Sequence, residues 1–165
     1  MRYSIILVMA FLLPIAAESQ TLIKAKAPDF SLSDQRDHQV ALRQLEGKVI
    51  VLIASDKEGT KQNPEWRKAI TDRYGERVFM PGVADLRKVP FFLKGSFKRD
   101  FQKDPASIIL DWNGDLFKAY GLAKDVSNIV LIDKKGYVRY LHSGGVEKGA
   151  VEDLFREIDR CLEGW

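Results

Sequence analysis

The chain alternates between continuous apolar runs and segments whose apolar residues recur at helical spacing. Val49-Ile50-Val51-Leu52-Ile53-Ala54, bounded by Gly47 and Ser55, has no polar face and predicts a central strand covered on both sides. Before it, Asp29-Phe30-Ser31-Leu32 and Val40-Ala41-Leu42 alternate polar and apolar around a turn-rich stretch from Ser33 to Asp37, which predicts a short antiparallel start. After the charged loop Asp56-Lys57-Glu58-Gly59-Thr60, Asn63 and Pro64 supply a cap and a first helical residue. Trp66, Ala69, Ile70 and Tyr74 then mark a helix that Gly75 can end. Val78-Phe79-Met80 with Val83 predicts a second strand, made irregular by Pro81 and Gly82.

Pro90 opens a further helix in which Leu93, Phe97 and Phe101 form a stripe beside Lys94, Lys98, Arg99 and Lys103. That spacing predicts a core-facing helix with solvated lysines; the alternative is a surface that docks to an acidic protein or an anionic membrane. Ser107 to Leu110 predicts a strand, Asn113-Gly114 a turn, and Leu116 to Tyr120 a short helix. Ile129 to Ile132, Asp133-Lys134-Lys135-Gly136 and Tyr137 to Leu141 predict a hairpin, with Gly136 free to take a positive φ. Val151, Leu154, Phe155, Ile158 and Leu162 mark a C-terminal helix. Strands alternating with helices and closing on a hairpin imply an α/β domain with a mixed central sheet and helices on both faces.

At the start of the chain, Arg2 precedes the apolar run Ile5 to Leu13, and Pro14, Ala16, Ala17 and Ser19 follow it. Positive, then apolar, then small is the order of a secretory signal peptide. The run falls short of the roughly 20 residues that span a bilayer, so an uncleaved anchor is the lesser alternative. Residues 1–19 are therefore expected to be a signal, residues 20–165 one domain, and the protein periplasmic or secreted. Membrane contact is expected only if that signal stays uncleaved.

Composition narrows the rest. The 165 residues are 45% hydrophobic, enough for a core, and the 30% of charged residues nearly balance at a formal +3. That excess is too small to imply nucleic acid as a partner. Cys161 is the single cysteine, so no internal disulfide can form despite the exported context.

Four motifs in order resemble the thioredoxin-like superfamily, especially its redoxin and peroxiredoxin branches: Ala27-Pro28-Asp29-Phe30-Ser31-Leu32, Leu45-Glu46-Gly47-Lys48-Val49-Ile50-Val51-Leu52, the segment Asp111 to Leu122, and Val130 to Gly136. The resemblance implies a three-layer α/β/α sandwich whose mixed central sheet ends in an antiparallel hairpin. Gly47-Lys48-Val49 leading to a cysteine-free loop, Asn63 opening the next helix, and Ser127 before Ile129 further resemble the YtfJ-type group of small exported bacterial proteins. That group brings no defined activity.

Redox-active members of the superfamily carry a dithiol in the loop after the central strand, where a helix N-terminus lowers a thiol pKa. Here Lys57 and Thr60 stand at the corresponding positions, and Ser127 stands where such proteins have a cis-proline. The resemblance implies that these two elements meet. The expected binding surface is accordingly the loop from Asp56 to Gln62 with the segment from Asp125 to Asn128, and Asp56, Lys57, Glu58, Gly59, Thr60, Lys61, Ser127 and Asn128 are the candidate binding residues.

Other chemistry is weaker. Asp56 and Glu58 read as solvated charges rather than an acid and base pair. Gly59, Lys57, Lys61 and the amides before Asn63 could receive an anion, although no complete phosphate motif is present. His38 and His142 lack ligand-spaced companions, so no metal or cofactor is expected. Cys161, beside Ile158 and Leu162, reads as a core side chain. The function expected is a non-catalytic binding or interaction module of the cell envelope, its partner an envelope or secreted protein or a small ligand. The alternative is a thiol oxidoreductase or peroxidase using Cys161 or a partner's thiol.

Overall fold

The computed structural model describes residues 22–164, so the expected signal peptide lies outside the described residues. Strands β1 (Ser31–Ser33) and β2 (Gln39–Ala41) pair antiparallel, with Leu32 opposite Val40, and a 3-10 turn at Leu42–Leu45 follows. The chain continues through β3 (Ile50–Ser55), a 3-10 turn at Gly59–Gln62, α1 (Asn63–Tyr74) and β4 (Gly82–Asp85). Next come α2 (Lys94–Phe101), β5 (Ile108–Asp111) and α3 (Asp115–Ala119). Strands β6 (Asn128–Ile132) and β7 (Val138–Ser143) and helix α4 (Lys148–Glu163) complete it.

The main sheet runs β5-β4-β3-β6-β7, parallel from β5 to β3 and antiparallel from β3 to β7. All six residues of β3 are buried, as its uniformly apolar sequence requires. Side chains alternate across a strand, so Val51 and Ile53 turn to one face and Ile50, Leu52 and Ala54 to the other. The first face is covered by Trp66, Ile70 and Tyr74 of α1 and by Leu154, Ile158 and Cys161 of α4. The second is covered by Leu116 and Phe117 of α3, Tyr120, and the N-terminal residues Phe30, Val40, Leu42 and Leu45. This is the expected thioredoxin-like α/β sandwich ending in an antiparallel hairpin.

Three expectations shift. Val78 to Met80 stand outside the ladder, where Phe79 makes one isolated bridge to Ile50; β4 begins only at Gly82 because Pro81 has no N–H to donate. Asn63 is not the cap of α1: the preceding 3-10 turn makes Gln62 the flanking residue and places Asn63 inside the helix, its side chain turned to other partners. The third concerns α2, which buries none of its residues. Leu93, Phe97 and Phe101 do have helical spacing, but the helices and hairpin already named cover both sheet faces and leave this stripe no core to enter.

Candidate binding site at the loop after the central strand

Beyond Ser55 the chain leaves the sheet and must return to enter α1. Asp56 closes that loop: Oδ1 accepts from the Gly59 amide and Oδ2 from the Asp125 amide, each at 3.0 Å. One carboxylate thus ties the loop to itself and to the segment before β6. Burial pushes the Asp56 pKa up, but the amides of Gly59 and Asp125 and the charge of Lys88 outweigh it and hold the carboxyl below its ordinary value. Asp56 is a brace rather than the solvated charge its loop position suggests.

Gly59 is buried under the facing segment. A Cβ on it would stand 2.1 Å from the Val126 carbonyl oxygen, so only glycine permits this approach. The two candidate segments therefore touch backbone to backbone.

A directed chain of hydrogen bonds fills the space between them. Ser127 Oγ donates to Asn63 Oδ1 at 2.8 Å, and Asn63 Nδ2 donates to Ser55 Oγ at 2.8 Å. Thr60 Oγ1 donates to the Asp56 carbonyl at 2.9 Å, which leaves Ser55 as the donor in its 3.1 Å contact with Thr60 Oγ1. Each hydroxyl donates once, and the run ends on a backbone acceptor. The Ser127 amide donates to Gln62 Oε1 at 2.8 Å. Asn128, fully buried, accepts from the Ala123 amide at 2.9 Å and from Ser143 Oγ at 2.7 Å, and it donates to the Ala123 carbonyl at 2.9 Å.

The candidate residues consequently divide. Gly59, Ser127 and Asn128 are buried and form the base. Lys57, Glu58, Thr60 and Lys61 are exposed and form the rim. Glu58 and Lys61 pair with each other, which holds the carboxyl below and the ammonium above their ordinary values. The amides an anion would use are already engaged, Gly59 with Asp56 Oδ1, Thr60 with the Asp56 carbonyl and Lys61 with the Glu58 carbonyl. Gln62 and Asp125, which bound the expected surface, take part in it, and Ser55 and Asn63 belong to the site although their sequence positions did not mark them as such. The available signal was Ser55, a hydroxyl ending a fully buried strand, which must find a partner inside.

The single thiol is elsewhere. Cys161 is 6% exposed in the core between α1, α4 and the sheet, and burial, with Asp133 adding to it, pushes its pKa up to about 11. Asp133 follows Ile132, which pairs with Ile50 at the start of β3, whereas the loop leaves the far end at Ser55. The length of β3, about 16 Å at 3.3 Å per residue, separates the two ends. His38 contacts Asp34 at 3.3 Å, and His142 packs on Trp66 with ring centroids 5.4 Å apart. Among the described residues no group of three or more His, Cys, Asp and Glu is placed to hold a metal ion.

Residues 88–160 match the model of a bacterial protein family described as of unknown function, YtfJ_HI0045. Among solved structures, the chain is similar to a candidate protein disulfide isomerase of Bacteroides thetaiotaomicron, at 24% identity and a TM-score of 0.66, covering 86% of this chain and 90% of that one. It is similar to a candidate thiol:disulfide interchange protein DsbE of Chlorobium tepidum, at 24% identity and a TM-score of 0.64, covering 83% and 95%. The exposed lipoprotein thioredoxin Etrx1 of Streptococcus pneumoniae is similar at 20% identity and a TM-score of 0.61, covering 79% and 99%. No curated protein matches the chain. At these identities the structural likeness establishes the fold alone.

Proposed function

Starting from a chain that is thioredoxin-like in fold and YtfJ-type over residues 88–160, we propose that it is a binding module of the cell envelope working without thiol chemistry. The observation that carries this reading is the hydrogen-bonded chain from Ser127 through Asn63 and Ser55 to Thr60, in the loop whose counterparts hold a dithiol. Neutral hydroxyls and amides that satisfy one another offer neither a nucleophile nor a poised acid or base. They do fix the rim residues Lys57, Glu58, Thr60 and Lys61 on a rigid base, which lowers the ordering cost of recognition. Placement in the envelope is supported by the charged, apolar and small residues from Arg2 to Ser19.

A photocrosslinking residue at Lys57 or Lys61 in cells should trap a discrete adduct that the same residue at Glu46, exposed at the other end of β3, does not. Equal adducts from all three positions, or none, would reject the loop as the binding surface. Disulfide or peroxide turnover by the wild type that vanishes in Cys161→Ser would instead establish the thiol enzyme. That alternative has its only thiol in the core.

A further inference from the structure

The segment leading into α2 carries apolar side chains that nothing in the described chain covers. Phe91 is 83% exposed and Phe92 72%, in a 3-10 turn at Phe91–Leu93 set between Pro90 and α2. Their rings meet edge to face with centroids 6.4 Å apart. Behind them Leu93 and Phe97 are 38% and 37% exposed. An eight-residue helix with no buried face is held by polar contacts instead. Lys98 pairs with Asp37, Gln102 Nε2 donates to the Gln35 carbonyl at 2.9 Å, and Lys94 lies 5.0 Å over the Trp112 ring.

Charge selects what could cover this surface. Residues 87–103 hold six basic side chains and one acidic one; Arg87 pairs with Asp85, Lys98 with Asp37 and Lys103 with Asp100, while Lys88 and Arg99 are exposed. Arg99 follows Phe92 by seven residues, about two helical turns. An anionic occupant is therefore favoured. Two neighbouring rings projecting from a turn would require a folded acidic partner to present a shaped apolar hole rimmed by carboxylates. A bilayer needs no such hole, because its interface admits apolar tips while cations stay at the phosphates.

We propose that Phe91 and Phe92, with the exposed cations Lys88 and Arg99, seat the protein on an anionic phospholipid surface. The rings enter the boundary between headgroups and acyl chains, and the cations meet lipid phosphates. Apart from Lys88, whose charge also acts on Asp56, this contact is separate from the loop after β3, and it does not depend on whether the N-terminal segment is cleaved.

The test compares partitioning of the full chain onto phosphatidylglycerol-containing vesicles and onto pure phosphatidylcholine vesicles. Apolar attraction through residues 5–13 acts on both lipids, so the ratio isolates the anionic preference. The wild type should favour the phosphatidylglycerol vesicles by about tenfold or more at low salt, and the preference should shrink as salt is raised. Phe91→Ser with Phe92→Ser should lower partitioning onto the phosphatidylglycerol vesicles by about tenfold, whereas Lys88→Glu with Arg99→Glu should bring the ratio toward one. These positions are exposed, so an unchanged melting temperature checks that each variant is folded. A wild-type ratio near one, a ratio that the charge variant leaves intact, or partitioning that the ring variant leaves intact overturns the proposal. Tight binding of polyglutamate without vesicle preference overturns it in favour of an acidic protein.

Discussion

Gly59 lies so close beneath Val126 that a side chain on it would meet the Val126 carbonyl carbon at 2.4 Å. The contact is between backbones, so neither partner can yield by changing a rotamer. It joins the loop after β3 to the segment before β6, which are separate in sequence and form one surface in the fold.

Gly59→Ala should therefore destabilise the protein by about 1–3 kcal/mol, the range for forced overpacking. Thermal melting measures the loss, and amide exchange should quicken at residues 125–128. An unchanged melting temperature would mean that the two segments are not locked together.

The chain from Ser127 to Thr60 should behave as a unit. Asn63→Ala removes both the acceptor for Ser127 and the donor to Ser55. Leaving two part-buried hydroxyls short of a partner costs about 1–3 kcal/mol. Ser127→Ala should cost less, and the double variant less than the two losses added, by at least about 0.5 kcal/mol. Strict additivity in denaturant melts would show independent bonds rather than a chain.

Most of the architecture was legible because burial writes itself into residue type. The run from Val49 to Ala54 is apolar at every position, and the i, i+4, i+8 recurrence of Trp66, Ile70 and Tyr74 fits one helix face. Leu93, Phe97 and Phe101 carry a similar signal and enter no core, because periodicity records that a helix has an apolar face and not what lies opposite it. The site was legible only through the resemblance that places its two segments together. Asn63 reads locally as a helix cap, and Ser55, eight positions earlier, and Ser127, 64 positions later, give its amide other partners.

Acid should loosen the hairpin between β6 and β7. Asp133 Oδ1 accepts from the amides of Lys135 and Tyr137, each at 2.9 Å, and Oδ2 accepts from Arg139 Nε at 2.6 Å. Burial raises the Asp133 pKa, but these bonds outweigh it and hold the carboxyl below its ordinary 3.8. A depressed carboxylate stabilises fully above its unfolded pKa and loses that contribution as pH falls through the folded one. Asp133→Asn should cost about 1–2 kcal/mol at pH 7, between an exposed ion pair and a buried charged hydrogen bond. The difference from wild type should disappear as pH falls below about 3.8, the unfolded value. A difference that stays constant into acid would remove Asp133 from the titration.

Alkali acts through Cys161, whose pKa burial raises and the nearby Asp133 raises further. Its pKa stands near 11 in the fold against 9.0 ordinarily, so the unfolded chain releases this proton first as pH rises. The sign follows: the contribution is complete below pH 9 and declines above it, as the unfolded state gains the thiolate that the core excludes. Between pH 9 and 11 the wild type should thus lose stability more steeply than Cys161→Ala. Tyr140, with its pKa pushed up to about 12 by burial, contributes a slope common to both proteins. At pH 8 the same shift makes the thiolate about 100-fold scarcer than in the unfolded chain. N-ethylmaleimide should accordingly label native Cys161 at least that much more slowly than denatured Cys161. Equal labelling rates in the two states would place the sulfur in water and reopen thiol chemistry for this protein.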